Sequence, residues 1–295
     1  KQSNTMASRP KIPYNPKPGR SEVELLRRNV DSNNGMFVDP DFIPGPYALY
    51  KDGKSPEGQI PIDSIHWMRP FEFVPMIAEG KSPLLFVDGS DSSDVVQGAL
   101  GDCWFLSAIA CVASRKDLVL NLFASTEYAH KGIYTLRFFK HGKWKLVTID
   151  DQIPCAPNGR PIFARGAHPH ETWVMLLEKA YAKLNGKCYQ NLNRGTISYG
   201  LKDLTGGDPQ VIDLDSPQTR DECLNGYLWE RIKVWMKQGS LCGACFTHRS
   251  TGGRRGGLLR GEEASEGGII RGHAYSVTEV REAVMPAGWA GANGR

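Results

Sequence analysis

The stretch Gln97-Gly-Ala-Leu-Gly-Asp-Cys-Trp-Phe-Leu106 decides how this sequence folds and what chemistry it carries. Its last residues open an apolar run that extends to Ala110, and such a run predicts a buried helix beginning at Cys103. The N-terminus of a helix stabilises a negative charge, so a thiolate is favoured at that position. Gln97 precedes the cysteine by six residues and carries a side-chain N–H that suits a developing oxyanion. The stretch therefore predicts a nucleophilic cysteine with an oxyanion donor beside it.

A second motif, Gly272-His-Ala-Tyr-Ser-Val277, supplies the base that a thiol nucleophile needs. The long separation from Cys103 is expected in papain-like folds, in which the cysteine and the histidine come from opposite halves of the molecule. Taken alone, each residue fits an ordinary core position. The combination of Cys103, His273, Gln97 and the following Trp104 instead favours a catalytic origin.

The nucleophile stretch resembles that of the calpains, which are calcium-activated cysteine proteases. The resemblance covers roughly residues 36–280 and rests on six motifs in the same order. The other motifs are Phe86-Val-Asp-Gly89, Gly142-Lys-Trp144 with Val147-Thr-Ile-Asp-Asp151, Trp173–Gly186, Asp203-Leu-Thr-Gly-Gly207 and Gly272–Val277.

The resemblance implies an α+β fold of the papain-like, two-lobed type. Residues 1–38 are expected to form an N-terminal extension, and 39–206 a mostly helical first lobe with the nucleophile. Residues 207–295 are expected to form a β-rich second lobe that carries the histidine and is truncated. The implied activity is calcium-dependent intracellular endopeptidase activity in limited proteolysis, with Cys103, His273 and Gln97 as the catalytic residues.

The C-terminal part departs from the family pattern. Calpains orient the histidine with an asparagine in an Asn-Pro-Trp-Gly motif, and no such motif follows His273. Asn293 is the remaining candidate for this third role, and Trp289 is the candidate for the tryptophan of the cleft. The departure leaves open an alternative function, in which a catalytically impaired calpain-like fragment acts as a binding or regulatory module.

The resemblance also implies calcium, a hard cation that prefers oxygen ligands. By position in the motif, the ligands are the carbonyls of Val87 and Gly89 and the carboxylate of Asp94. The remaining acidic position of the family falls on Gln190, which would weaken the site by one negative charge. No organic cofactor is implied.

Composition sets limits on the class of protein. The net charge of +4 is small for 295 residues and does not argue for nucleic acid or a membrane, so no nucleic-acid partner is expected. The sequence contains neither an apolar run of about 18 residues nor a secretory signal pattern. Its seven cysteines fit no disulfide framework, which favours the cytoplasm. Protein substrates are expected, and flanking domains or a regulatory subunit are left open.

Hydrophobic periodicity predicts the remaining elements. Helices are expected at 117–123, 171–184 and 227–238, and strands at 133–139, 144–149, 211–214, 241–246 and 274–282. Asp150-Asp151 fits a solvated turn, and the Gly/Arg-rich segment 247–272 is either a loop that gates the cleft or a surface insertion.

Two other chemistries are less well supported by the sequence. Cys242-Gly-Ala-Cys245 with His248 invites a zinc site, but a second Cys pair is missing and a strand is favoured. Removal of ubiquitin-type modifiers is a further papain-like chemistry, and the Gly-Asp-Cys-Trp context argues against it.

Overall fold

The computed structural model describes residue 26 and residues 28–33, 35–246, 263–264 and 269–282. Helices and short strands alternate along this part of the chain, which confirms the predicted α+β class. The helices are α1 (Pro46–Leu49), α2 (Pro70–Ile77), α3 (Cys103–Ala113), α4 (Lys116–Leu122), α5 (Trp173–Leu184), α6 (Ile197–Thr205), α7 (Pro217–Leu224) and α8 (Tyr227–Lys237). The strands are β1 (His66–Met68), β2 (Val95–Val96), β3 (Phe123–Ser125), β4 (Ile133–Lys140), β5 (Lys143–Asp150), β6 (Ile153–Cys155), β7 (Arg165–Gly166), β8 (Cys242–Cys245), β9 (Glu263–Ala264), β10 (Ile270–Arg271) and β11 (Ala274–Val277).

Helix α3 lies at the centre of the molecule, and every residue from Cys103 to Ala113 is buried. Its sequence is apolar on all sides, and a helix of that kind requires neighbours on every face. Helix α5 covers one face, where the ring of Phe105 stacks on Tyr181 with the centroids 3.9 Å apart. Helix α6 and strand β11 cover further faces. The nucleophile therefore begins the most enclosed helix of the fold.

A three-stranded antiparallel sheet in the order β3-β4-β5 packs beside these helices. Strands β4 and β5 pair along their whole length, from Ile133 opposite Asp150 to Lys140 opposite Lys143. The two residues between the strands, His141 and Gly142, have φ values of 53° and 78°. Positive φ at both central positions is the signature of the tight hairpin turn that matches strand twist. Both predicted strands are thus confirmed.

The prediction that Asp150-Asp151 forms a solvated turn is wrong, because both carboxylates are buried in ion pairs. Lys179 projects from α5 with no exposed side-chain surface and pairs with Asp150 at 2.5 Å. Arg69 pairs with Asp151 and also donates to the carbonyl of Phe37. The sequence pattern places these acids at a strand end but gives no sign of the cations that reach them from other elements.

The first lobe closes at α6, whose C-terminal residue is followed by Gly206 with φ of 72°. A left-handed glycine ends a helix at no steric cost, and this position fits the predicted hinge. Beyond it, β8 pairs antiparallel with β11, so that Cys242 lies opposite Val277 and Cys245 opposite Ala274. The lobe limits at 38/39 and 206/207 stay a prediction.

Some predicted elements after the hinge differ in the structure. Residues 211–214 form no strand, since Val211 and Leu214 are 79% and 60% exposed and meet no partner strand among the described residues. Helix α7 was not predicted from the sequence, because it is polar. Strand β8 forms as expected but is partly exposed, and β11 ends at Val277 rather than continuing to residue 282. Among the residues described here, no helix has the length and apolarity needed to cross a bilayer.

Candidate active site

Cys103 is the first residue of α3 and is 7% exposed. The preceding Asp102 is the N-cap residue, and its carbonyl accepts hydrogen bonds from the amides of Phe105 and Leu106 at 2.8 and 3.1 Å. This geometry places the thiol at the positive end of the helix dipole, as the sequence predicts. The cysteine is therefore shielded by the core on one side while its sulfur stays within the field that favours a thiolate.

The loop from Gln97 to Leu100 precedes the nucleophile and is braced by the segment 162–165. The amide of Ala99 donates to the carbonyl of Ile162 at 2.8 Å. Gly98 lies so close to this segment that a Cβ would come within 2.2 Å of the carbonyl oxygen of Phe163. A glycine is therefore required at position 98 for the loop to lie this close to the segment 162–165.

The side chain of Gln97 is held inside this loop, where its Nε2 donates to the carbonyl of Leu100 at 2.9 Å. A primary amide carries two N–H donors, so this bond leaves the second one for an oxyanion. The carbonyl of Gln97 accepts a bond from Arg165 at 3.3 Å, which fixes the start of the loop. The residue thus occupies a position suited to the predicted role.

Trp104 packs in the core, as the sequence indicates. Its indole N–H donates to the carbonyl of Leu192 at 2.8 Å. Gly195 approaches the ring so closely that a Cβ there would lie 2.2 Å from it. Asn193 accepts a bond from the amide of Gly101 at 2.9 Å. The segment 192–195 thereby fixes the residues on both sides of Asp102-Cys103.

His273 comes immediately before β11, the strand that packs on the nucleophile helix. The hydroxyl of Ser107, one helical turn after Cys103, donates to the carbonyl of Ala274 at 2.8 Å. Gly272 has φ of 76°, and its amide donates to the carbonyl of Phe246 at 2.7 Å. The imidazole meets the ring of Tyr275 edge-on, with the centroids 5.2 Å apart. Two distant motifs of the sequence are thus joined at one end of α3.

Two other thiols in the core differ from Cys103 in their surroundings. Burial raises the pKa of Cys111 to about 12 and that of Cys155 to about 12. The Cys111 thiol also donates to the carbonyl of Cys242 at 3.0 Å. Neither cysteine begins a helix, and a thiol with so high a pKa is almost wholly protonated at neutral pH.

The zinc alternative finds no geometric support. Cys242 and Cys245 stand three residues apart on β8, and positions separated by an odd number face opposite sides of a strand. No group of three or more metal-binding side chains occurs within the described ranges, and His248 lies outside them.

The predicted calcium loop contains an acidic partner that the sequence analysis did not assign. Glu171 is fully buried, and its Oε1 accepts a bond from the amide of Val87 at 2.8 Å. Its Oε2 has no hydrogen-bond partner among the described residues. Burial raises the pKa of Glu171, and the nearby carboxylate of Asp94 raises it further. The Val87 amide and the Asp94 carboxylate therefore both lie near the Glu171 carboxylate.

Gln190 does not belong to this cluster. Its Oε1 accepts a bond from the amide of Lys51 at 2.9 Å, in a different part of the lobe. The sequence analysis also places Glu171 in the first turn of α5, whereas α5 begins at Trp173. Glu171 forms a parallel bridge with Leu84, and this pairing turns its side chain toward the loop. The site consequently has two carboxylates rather than one.

Oxygen donors of this kind fit a calcium ion. Two carboxylates and the carbonyls of Val87 and Gly89 are hard ligands, and the orphaned Oε2 of Glu171 is a buried acceptor that a cation would satisfy. A competing cation lies beside the loop, because the ammonium of Lys116 donates to the carbonyl of Asp88 at 3.0 Å. Asp88 itself has a left-handed φ of 56°.

The sequence of this chain also matches a known protein family. Residues 37–290 match the sequence model of the calpain family of cysteine proteases. This chain belongs to the calpain family. The matched residues include the nucleophile stretch, the predicted calcium loop and the His273 motif.

Individual relatives of this calpain-family chain span plants and animals. It is 40% identical over 248 residues to the calpain-type cysteine protease ADL1 of Oryza sativa subsp. japonica, covering 83% of this chain and 11% of the relative. It is 36% identical over 267 residues to calpain-8 of Rattus norvegicus, covering 88% and 34%. It is 33% identical over 274 residues to calpain-5 of Caenorhabditis elegans, covering 89% and 38%. The chain thus spans between about a tenth and two fifths of the length of these relatives.

Parts of the predicted site lie outside the described residues. These are Asn293 and Trp289, together with most of the segment 247–272. The third member of the catalytic group stays a prediction for that reason.

Proposed function

We propose that this calpain-family chain is a cysteine endopeptidase that hydrolyses peptide bonds with Cys103 as nucleophile and His273 as base. The observation that supports it best is the docking of β11 on α3 through Ser107 and Ala274, because it brings two motifs 170 residues apart to one helix. A thiol at a helix N-terminus, with a histidine immediately before the strand that packs on that helix, suits peptide hydrolysis by a thiol nucleophile.

The proposed reaction begins when His273 removes the proton from the Cys103 thiol. The thiolate attacks the carbonyl carbon of the peptide and forms an S–C bond, and the electron pair of the C=O π bond moves to the oxygen. The backbone N–H of Cys103 and the second N–H of Gln97 stabilise that oxyanion. His273 then returns the proton to the amine as the C–N bond breaks, which leaves an acyl-enzyme thioester. Water, deprotonated by the same histidine, hydrolyses the thioester and restores the thiol.

Protein substrates in the cytoplasm are proposed from the family resemblance, and limited proteolysis is the expected outcome. The burial of Cys103 supports this choice, because a nucleophile at the base of the fold requires an extended segment of chain rather than a folded surface. The reducing cytoplasm fits seven cysteines that carry no disulfide in the structure.

Calcium dependence is proposed on the acidic loop. Val87 and Gly89 would supply carbonyl oxygens, and Asp94 and Glu171 would supply carboxylates. A bound calcium ion would neutralise two like charges and stiffen the loop. The same loop continues into Val95 and Gln97, so its order bears directly on the oxyanion donor. Lys116 is expected to oppose the ion, because its positive charge lies beside the Asp88 carbonyl.

Turnover of a fluorogenic peptide by the 295-residue chain, with and without calcium, tests the proposal. The wild-type chain is expected to cleave the peptide, and Cys103→Ser is expected to abolish cleavage while leaving the unfolding midpoint in place. Equal cleavage by both proteins would assign any activity to a contaminant. No cleavage by a folded wild-type chain would favour the binding or regulatory module.

A further inference from the structure

A pair of buried carboxyl groups lies directly behind the nucleophile and has no place in the reaction described above. Asp102 has no exposed surface, and Glu178, on α5, is 1% exposed. No other described residue offers a donor to either side-chain oxygen of Asp102. The contact that its carboxyl group does make is with the carboxyl group of Glu178.

Two acids in contact inside a core can hydrogen-bond only when one of them carries a proton. Burial raises the pKa of Asp102 to about 7 and raises the pKa of Glu178 well above its ordinary range. One proton is therefore shared between the two carboxyl groups. Below about pH 7 both acids are protonated and the pair is neutral. Above that pH the pair keeps one proton and carries one negative charge.

The pair connects the two structures that surround the reacting carbonyl. Asp102 is joined by one peptide bond to Cys103. Both oxygens of Glu178 accept from the amide of Ala164, at 3.2 and 3.1 Å. Ala164 belongs to the segment 162–165 that braces the loop of Gln97. A chain of contacts thus runs from the nucleophile, through the two carboxyl groups, to the segment that supports the oxyanion donor.

We infer that Asp102 and Glu178 act as a proton-sharing carboxyl pair that positions Cys103 against the oxyanion loop and keeps a full negative charge away from the thiolate at and below neutral pH. This inference rests on the proposed protease reaction, for which both are positioning residues. Both side chains are buried, and neither takes part in the proton transfers of that reaction.

The charged and titratable groups around the pair are few. Tyr189 faces both acids from the turn after α5, and their charges help to raise its pKa. Cys155 on β6 lies near the same phenol. No lysine, arginine or histidine contributes to the pKa of Asp102 or Glu178. Lys179, the next residue on α5, is paired with Asp150 instead. Among the described residues, the pair therefore has no cationic side chain as a counterion, and the shared proton takes that role.

The rate at which Cys103 is alkylated by iodoacetamide, followed between about pH 5.5 and 8.5, tests the inference on the full chain. Glu178→Gln keeps an acceptor for Ala164 and gives Asp102 a permanent N–H donor, so that Asp102 stays ionised. A fixed negative charge raises the pKa of the neighbouring thiol. Since one unit of thiol pKa changes the thiolate fraction about tenfold, alkylation near pH 6 is expected to slow by about 3- to 10-fold.

The double substitution Asp102→Asn with Glu178→Gln removes the titrating proton, and its pH profile is expected to lose the inflection near pH 7. Glu79→Gln, at an exposed acid that does not contribute to the pKa of either carboxyl group, is the control and is expected to match the wild type. The inference would be overturned if the pH profiles of alkylation coincided for the wild type and all three variants and only thermal stability changed. The pair would then have a purely structural role.

Infrared spectra give a measurement that does not require an active thiol. The wild-type chain at neutral pH is expected to show a protonated-carboxyl band that the double variant lacks. The spectrum of the double variant is subtracted from that of the wild type. If the difference spectrum lacks that band, the proposal of a shared proton is overturned, and this result does not depend on whether the single variant folds. If the wild-type chain shows the band but cleaves no peptide, the carboxyl pair is retained and the proposed protease activity is rejected. The failure of one proposal can therefore be distinguished from the failure of the other.

Discussion

The hydroxyl of Ser107 donates a hydrogen bond to the carbonyl of Ala274 at 2.8 Å, and both groups are buried. Ser107 lies one turn along α3 from Cys103, and Ala274 is bonded to His273. This bond therefore ties the strand that directly follows the base to the helix that carries the nucleophile.

Ser107→Ala is expected to lower kcat/KM for a peptide by about 2- to 10-fold. A net hydrogen bond contributes about 0.5–1.5 kcal/mol, and its loss lets β11 drift from α3. Ser114→Ala is the matched control, because the Ser114 hydroxyl donates to the carbonyl of Cys111 at the end of the same helix and not to a residue of β11. Equal activity of the two variants would show that the contact does not position the base.

Brief treatment with a peptide epoxide, followed by mass mapping, is expected to label Cys103 alone. Cys111 and Cys155 are protected, since the pKa of each is about 12 and both are buried. Cys223 and Cys245 are exposed and serve as internal controls for slow, unassisted reaction. Labelling of Cys223 as fast as Cys103 would mean that the active-site thiol is not activated.

Glu171→Gln is expected to weaken calcium binding by at least tenfold in titration calorimetry, because it removes one of two anionic ligands. Gln190→Glu is the matched control and is expected to leave the affinity unchanged, since Gln190 bonds to Lys51. Tighter binding by Gln190→Glu would restore the assignment made from the sequence.

Lys116→Met is expected to tighten calcium binding by about 3- to 10-fold at low salt. The substitution removes a positive charge beside the Asp88 carbonyl, and repulsion of this kind is screened as salt increases. An unchanged affinity at low salt would show that the lysine does not oppose the ion.

Calcium affinity is also expected to rise as the pH is raised from acid toward neutral values. Burial raises the pKa of Glu171, so the ion must displace a proton from it at the acid end of this range. Glu171→Gln is expected to flatten the dependence. A flat profile in the wild type would exclude Glu171 as a ligand.

Lys179→Met is expected to lower the free energy of unfolding by about 3–5 kcal/mol in urea, because it leaves a buried carboxylate at Asp150 without its cation. The double variant Lys179→Met with Asp150→Asn is expected to lose less than the sum of the two single variants. Strict additivity would show that the pair is not coupled.

The sequence predicts well those features that depend on local pattern. The all-apolar run after Cys103, the alternation in β4 and β5 and the spacing in α5 each predict an element that the structure contains. The residue types at Gln97, Cys103 and His273 likewise indicate their chemistry without any knowledge of distances.

Features that depend on contacts between distant segments cannot be predicted from local sequence patterns. Asp150 looks like a turn residue until Lys179 reaches it from another element. Glu171 looks like a helix start, and only its bridge with Leu84 directs it to the calcium loop. Asp102 and Glu178 are 76 positions apart, and nothing in either local pattern indicates that they meet.

The central claim is that His273 activates Cys103 across the two lobes. The most direct measurement is the rate of Cys103 labelling by a peptide epoxide at neutral pH in the wild type and in His273→Ala, with His141→Ala as control. The account predicts a loss of about 10²–10⁴ in rate for His273→Ala, the range typical of general-base assistance, and no change for His141→Ala. Equal labelling rates in all three proteins would contradict it.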